Sequence, residues 1–175
     1  MSFEQRVASV HPALVTIIAI AGSLFFSVFN SKVEDPFAYR AAVSVVFFAF
    51  VALDALWLWS IYVLGSAQVG APPKWSLAFL LTPFLLAAGK LLLGDDASGD
   101  GIAGMLLRLA GGVLFIGGVW KAAEAFEIAL EGKGVSVGKI SGTAAFLFFS
   151  VVGAWALRER ILTLVARSPS EVQET

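Results

Sequence analysis

Five stretches of this chain are too apolar and too long to be ordinary pieces of a water-soluble core. Residues 13–29, 41–64, 75–93, 102–120 and 140–157 each approach or exceed the roughly 20 apolar residues that an α-helix needs to cross the hydrocarbon of a bilayer. Lipid offers no water to backbone N–H and C=O groups, so a helix, which satisfies its own, is the expected conformation of each. The composition agrees: 58% of the 175 residues are hydrophobic and 14% charged, against about 45–50% and about 25% in soluble domains. The predicted fold is therefore an all-α, multi-pass membrane protein, a bundle of about five transmembrane helices forming one domain over residues 1–175.

Gly, Pro, Asn and Asp clusters punctuate the stretches, as helix ends require. Asn30-Ser31-Lys32 and Glu34-Asp35-Pro36 come first, then Gly70-Ala71-Pro72-Pro73, the acidic run from Gly94 to Gly101, and Gly132-Lys133-Gly134. Connections this short place consecutive helices side by side and antiparallel. A signal-peptide reading of the first stretch is disfavoured, because no small-x-small cleavage site follows Phe29. The fourth helix is expected to run on past Lys121, with Glu124, Glu127 and Glu131 on one face. That face reads as a solvated helix end or, more sharply, as a docking face.

Crossing five times puts Tyr62, Trp75 and Trp120 near one interface and Tyr39 and Trp155 near the other, where amphipathic rings belong. The same topology gathers Arg6, Lys74, Lys121, Lys133 and Lys139 on the N-terminal side and Lys32, Arg40, Arg158, Arg160 and Arg167 opposite. With equal numbers on the two sides, the positive-inside rule assigns no orientation.

The clearest pattern is Gly104, Gly111, Gly118 and Ala125, recurring every seven residues along the fourth stretch. A heptad of small residues keeps one stripe facing a partner and lets backbones approach closely, which is what holds helices together in lipid. The partner is a helix of the same chain or a second subunit.

Three ionisable residues fall inside the stretches, each costing about 2.5–3.5 kcal/mol at a bilayer centre unless it is paired, wet or able to reach an interface. Asp54, within Leu53-Asp54-Ala55, cannot reach far; Lys90 and Arg108 have long stems that can snorkel towards Asp95, Asp96 and Asp100. An Asp54–Arg108 pairing requires spanning a depth difference of about 10 Å. The alternative is a protonated, structural Asp54. Pro83 is expected to kink the third helix, Thr82, Thr143 and Ser150 are candidate polar glue, and His11 before Pro12 reads as an interfacial cap.

Catalytic chemistry has little to stand on. The chain has no cysteine and one histidine, so thiolate metal sites, paired-histidine haem and ordinary zinc catalysis are excluded, and no cofactor or metal is expected. No nucleophile elbow or P-loop occurs. A formal net charge of −1 argues against nucleic acid as a partner. The partners expected are the lipid bilayer and either a second copy or another membrane protein. Two functions fit: a transport- or channel-type protein, oligomeric, with Asp54, Arg108 and Lys90 as its polar centre, or a non-conducting structural or regulatory subunit whose docking faces are the extended fourth helix and Arg158-Glu159-Arg160. A lipid-modifying enzyme is the residual class. A bacterial inner membrane is compatible with both.

Overall fold

The computed structural model describes residues 1–30, 36–93, 101–132 and 134–167, and among them every regular element is an α-helix. α1 (Phe3–Ala8) opens on a capping box: the Gln5 amide donates to the Ser2 hydroxyl, and the Ser2 amide donates to the Gln5 side chain at 2.7 Å. α2 (Pro12–Asn30) starts on a proline, whose fixed φ and missing N–H suit a first helical position. The Ala13 amide donates to Nδ1 of His11 at 3.2 Å, so His11 is the cap that its place before Pro12 suggests.

α3 (Pro36–Gln68) and α5 (Gly101–Glu131) are the long elements, with 33 and 31 residues. At about 1.5 Å per residue each exceeds a hydrocarbon layer of about 30 Å by several turns. α3 stops where Gly70 takes φ +66° and the Ala71 amide caps the Ser66 carbonyl at 2.9 Å. α5 stops where Gly132 takes φ +91° and its amide bonds Ile128. Between them, α4 (Ser76–Leu93) runs through Pro83 as one helix. The proline leaves the Phe79 carbonyl without its usual donor, and the neighbouring Thr82 hydroxyl bonds Ala78 at 2.8 Å within the same helix.

The heptad on α5 finds its partner inside the chain. Gly104, Gly111, Gly118 and Ala125 are all buried. A methyl group added to Gly111 would meet Leu86 of α4 at 2.8 Å, and one added to Gly118 would meet Phe79 at 3.0 Å. The Gly104 carbonyl lies 2.9 Å from where a Gly89 Cβ would stand, and the Ala125 backbone lies 2.7 Å from where a Cβ on Gly65 of α3 would stand. The opposite face of α5 carries exposed Met105, Leu106, Leu109, Val113 and Ile116, an apolar stripe suited to lipid.

The last apolar stretch is not one straight helix. α6 (Val137–Phe148) and α7 (Ser150–Ala156) meet at 119° across Phe149. The corner is tight: a Cβ on Gly153 would fall 2.1 Å from the Phe146 carbonyl oxygen, so only glycine fits. α8 (Arg158–Arg167) then lays Ile161 and Leu164 into the core.

By length and composition α3 and α5 can cross a membrane, and the α6–α7 pair makes a third crossing if taken as one span; the apolar parts described for α2 and α4, Pro12–Gly22 and Ser76–Leu91, are shorter. Two to three crossings are thus supported where the apolar stretches suggest five. The buried core sits at one end of the bundle, the α1 end, where Trp57, Leu58 and Ile61 of α3 and Phe126 of α5 meet Ala8 of α1, Leu147 of α6 and Leu164 of α8. The other half of the bundle presents mostly lipid-facing apolar side chains, among them Ile20, Leu24, Leu80 and Phe84.

Candidate functional site

The polar centre expected from the sequence separates into three places. Arg108 is exposed on α5, its stem against Gly89 of α4, and Lys90 lies 6.0 Å over the ring of Phe47. Asp54 lies on a flank of α3 facing α1, α2 and α7, where Ser150 lines the same crevice. The expected Asp54–Arg108 pairing is therefore corrected: Asp54 faces α1, α2 and α7 while Arg108 lies against α4, a difference of direction about the helix axes that a depth comparison ignores. Asp95, Asp96 and Asp100 lie outside the described residues.

Asp54 opens onto a crevice of about 340 Å³, walled by α1, α2, α3 and α7. Among the described residues its lining is apolar except for Asp54 and Ser150. Asp54 stands eight residues before Tyr62 on α3, about 12 Å deeper along the helix. Tyr62, whose hydroxyl accepts from the Trp75 amide at 3.2 Å, marks the α1 end. Phe50 lines the crevice one turn from Asp54, and its ring occupies the space a side chain on Gly22 would take. Among the described residues the site therefore has one ionisable group in an apolar surround.

Ser150 comes to the Asp54 crevice because of the break at Phe149. α6 descends beside α5, with Phe148 stacking 5.9 Å from Phe115, and α7 turns back. Trp155 at its far end donates to the Thr16 hydroxyl at 3.1 Å and meets the His11 ring edge-on at 6.0 Å. Five straight crossings would put Trp155 at the interface opposite the N-terminus; it is instead beside the mouth of α2, because the stretch folds back rather than running through.

A second polar cluster joins the acidic end of α5 to the basic segment of α8, two faces the sequence marks singly and not as a pair. Glu127 is fully buried, and Arg160 of α8 grips it through two bonds of 2.8 Å, one to each carboxylate oxygen. Thr143 of α6 donates to the same carboxylate. Glu131 holds Lys139 and lies 3.5 Å from Arg160, and Arg167 donates to the Leu130 carbonyl at 3.1 Å. The bond to Glu127 raises the pKa of Arg160 further above its ordinary value. The solvated-end reading of Glu124, Glu127 and Glu131 is corrected for Glu127, which is buried; Glu124, paired with Lys121 at 2.6 Å, and Glu131, paired with Lys139, stay at the surface. The acidic face is a docking face, and its partner is the chain's own Arg160. The same contacts correct the placing of Arg160 and Arg167 on the side opposite Lys121. Thr143 acts as the polar glue expected of it, Ser150 lines the Asp54 crevice, and Thr82 bonds the Ala78 carbonyl of its own helix.

Among the described residues no group of three or more His, Cys, Asp or Glu side chains is placed to hold a metal ion. Comparison with family models, with curated proteins and with solved structures finds no match for this chain.

Proposed function

We propose that this chain is a multi-pass membrane protein of the transport type, in which α2 to α5 cross the bilayer and α6–α7 form a re-entrant hairpin that carries Ser150 to Asp54. The observation that carries this reading is Asp54 itself, a carboxylate set about 12 Å below the aromatic level in a crevice that it shares with Ser150 of the hairpin. An ionisable side chain at such depth is costly and marks an ion or substrate pathway by default. The re-entrant course is supported by Trp155 against Thr16 and by Arg160 on Glu127, both at the α1 end. Irregular backbone at membrane depth is tolerated where protein covers it; beside the corner Phe148 meets Phe115 of α5 and Gly153 is buried, while the Phe149 side chain itself is exposed.

Folding the last stretch back also breaks the charge tie. Arg158, Arg160 and Arg167 join Arg6, Lys74, Lys121 and Lys139 at the α1 end. The positive-inside rule then puts that end, with both the first and last described helices, in the cytoplasm, and the protein in a cytoplasmic membrane.

Asp54 opens onto a crevice lined by Phe50, whose ring packs against Gly22, and we read this as a carrier that exposes Asp54 alternately rather than as an open channel. The other role, a non-conducting subunit, relied on two docking faces, and these are matched to each other within the chain. The test is flux of protons into vesicles holding the purified protein. Flux through wild type that Asp54→Asn abolishes is expected; no flux, or equal flux through both, overturns the proposal.

A further inference from the structure

We propose that the Asp54 crevice binds an ammonium-bearing amphiphile, whose apolar body fills the space and whose positive charge is met by the Asp54 carboxylate. The proposal rests on the reading of Asp54 as the operative group and names the chemistry it would recognise.

Charge comes first. Of the described residues lining the crevice, Asp54 alone is ionisable, and no lysine or arginine joins it. Lys90 and Arg108 belong to other faces. An anion is repelled there, and an uncharged apolar molecule would leave the carboxylate buried without a counterion, which costs several kcal/mol. A cation is the complementary ligand.

The kind of cation follows from the walls. A bare metal ion needs a shell of about six or more oxygen ligands, and the crevice offers one carboxylate and one hydroxyl. A hydrated ion would place water against Val10, Ile18 and Trp57 with nothing there to bond it. An organic ammonium carries its own apolar surface, whose burial is favourable, and its charge suits the faces of Phe50 and Trp57, both of which line the crevice. Size sets the rest. A volume of about 340 Å³ is at the small end of pockets that take small molecules, so the ligand is a compact amphiphile and not a peptide.

Such an ammonium has two sources: a free lipophilic amine, or the headgroup of an ethanolamine phospholipid drawn in from the α1 end. The experiment separates them. The full chain is placed in nanodiscs of phosphatidylglycerol alone, and binding of radiolabelled hexyltrimethylammonium is measured by equilibrium dialysis. Saturable binding at one site per chain is expected. Asp54→Asn should weaken it at least about tenfold, Asp54→Glu should retain it, and Arg108→Gln should leave it unchanged. Tryptophan fluorescence of each variant checks that it is folded. Repeating the measurement with phosphatidylethanolamine in the disc supports the lipid source if the probe is displaced and the free amine if it is not. No saturable binding, or equal binding by wild type and a folded Asp54→Asn, overturns the proposal. Proton flux without binding leaves the transport reading standing and removes this one; binding without flux does the reverse.

Discussion

Replacing Arg160 with alanine removes, among the described residues, the one cation bonded to a carboxylate that is 0% exposed, and leaves Glu127 with the Thr143 hydroxyl as its remaining side-chain donor. Breaking a buried ion pair from one side costs about 3–5 kcal/mol, because the surviving charge stays out of water. Here the Arg160 side chain is 34% exposed, so water can enter the space it vacates and the lower end of that range, about 3 kcal/mol, is expected. The loss falls on the docking of α8, since Ile161 and Leu164 are the apolar anchors beside it. About 3 kcal/mol is two orders of magnitude in the equilibrium between docked and released α8. The native chain lacks cysteine, so a single Leu164→Cys reports this directly. Leu164 is 0% exposed, and a thiol there should react with a soluble maleimide about a hundredfold faster in the Arg160→Ala background, in proportion to the released population. Arg160→Lys keeps the charge but not the two-pronged grip and should fall between. The pair Glu127→Leu with Arg160→Met removes both charges and should dock within about 1 kcal/mol of wild type. A change of labelling rate smaller than about threefold in Arg160→Ala, less than about 1 kcal/mol, would refute the assignment of this pair as the hold on α8.

Three further outcomes follow from close packing and from the Asp54 site. Gly153→Ala forces a methyl onto the Phe146 carbonyl at 2.1 Å and should lower stability by at least about 2 kcal/mol, read as an earlier thermal transition in detergent. Gly111→Ala sets a methyl 2.8 Å from Leu86, while the adjacent Gly112→Ala meets nothing within 4 Å. The first should destabilise by about 1–3 kcal/mol and the second by less than about 0.5 kcal/mol, in the same thermal assay; equal effects would show that the seam is not the α4–α5 contact. Gly22→Leu competes with the Phe50 ring for one space and should slow Asp54-dependent flux in vesicles, whereas unchanged flux would separate that contact from transport.

Much of the architecture is legible in the residues because it is local. Apolar length marks the helices, Gly70 and Gly132 end two of them, and His11 before Pro12 is a cap by position. The heptad of small residues names the buried face of α5, although only the packed structure shows that its partner is α4 and then α3. What the sequence hides is long-range. Nothing near Glu127 announces Arg160, which is 33 residues away, so an acidic face at a helix end reads as solvated or as a docking face whose partner the sequence does not name. The corner at Phe149 carries no proline and sits within an unbroken apolar run; Gly153 is its one trace, and a lone glycine in such a run has many uses. Missing that corner also misplaces Trp155, the α8 arginines and the charge balance. Leu157, Ile161, Leu164 and Val165 recur at helical spacing, the signal from which α8 can be read as an amphipathic element lying on the bundle. Asp54 is identifiable from its cost in lipid alone, but its neighbourhood with Ser150 depends on the fold-back.

The course of the last apolar stretch decides most of this account, and sidedness tests it. Single-cysteine variants at Ala71, between α3 and α4, and at Thr163, on α8, are both at exposed positions. Labelled in sealed cells with a membrane-impermeant maleimide, the two should behave alike, protected until the membrane is opened, because α6–α7 returns the chain to its starting side. Thr163→Cys labelling from outside while Ala71→Cys stays protected would mean that the stretch crosses, and that the hairpin, the charge asymmetry and the Asp54 site built on it are wrong.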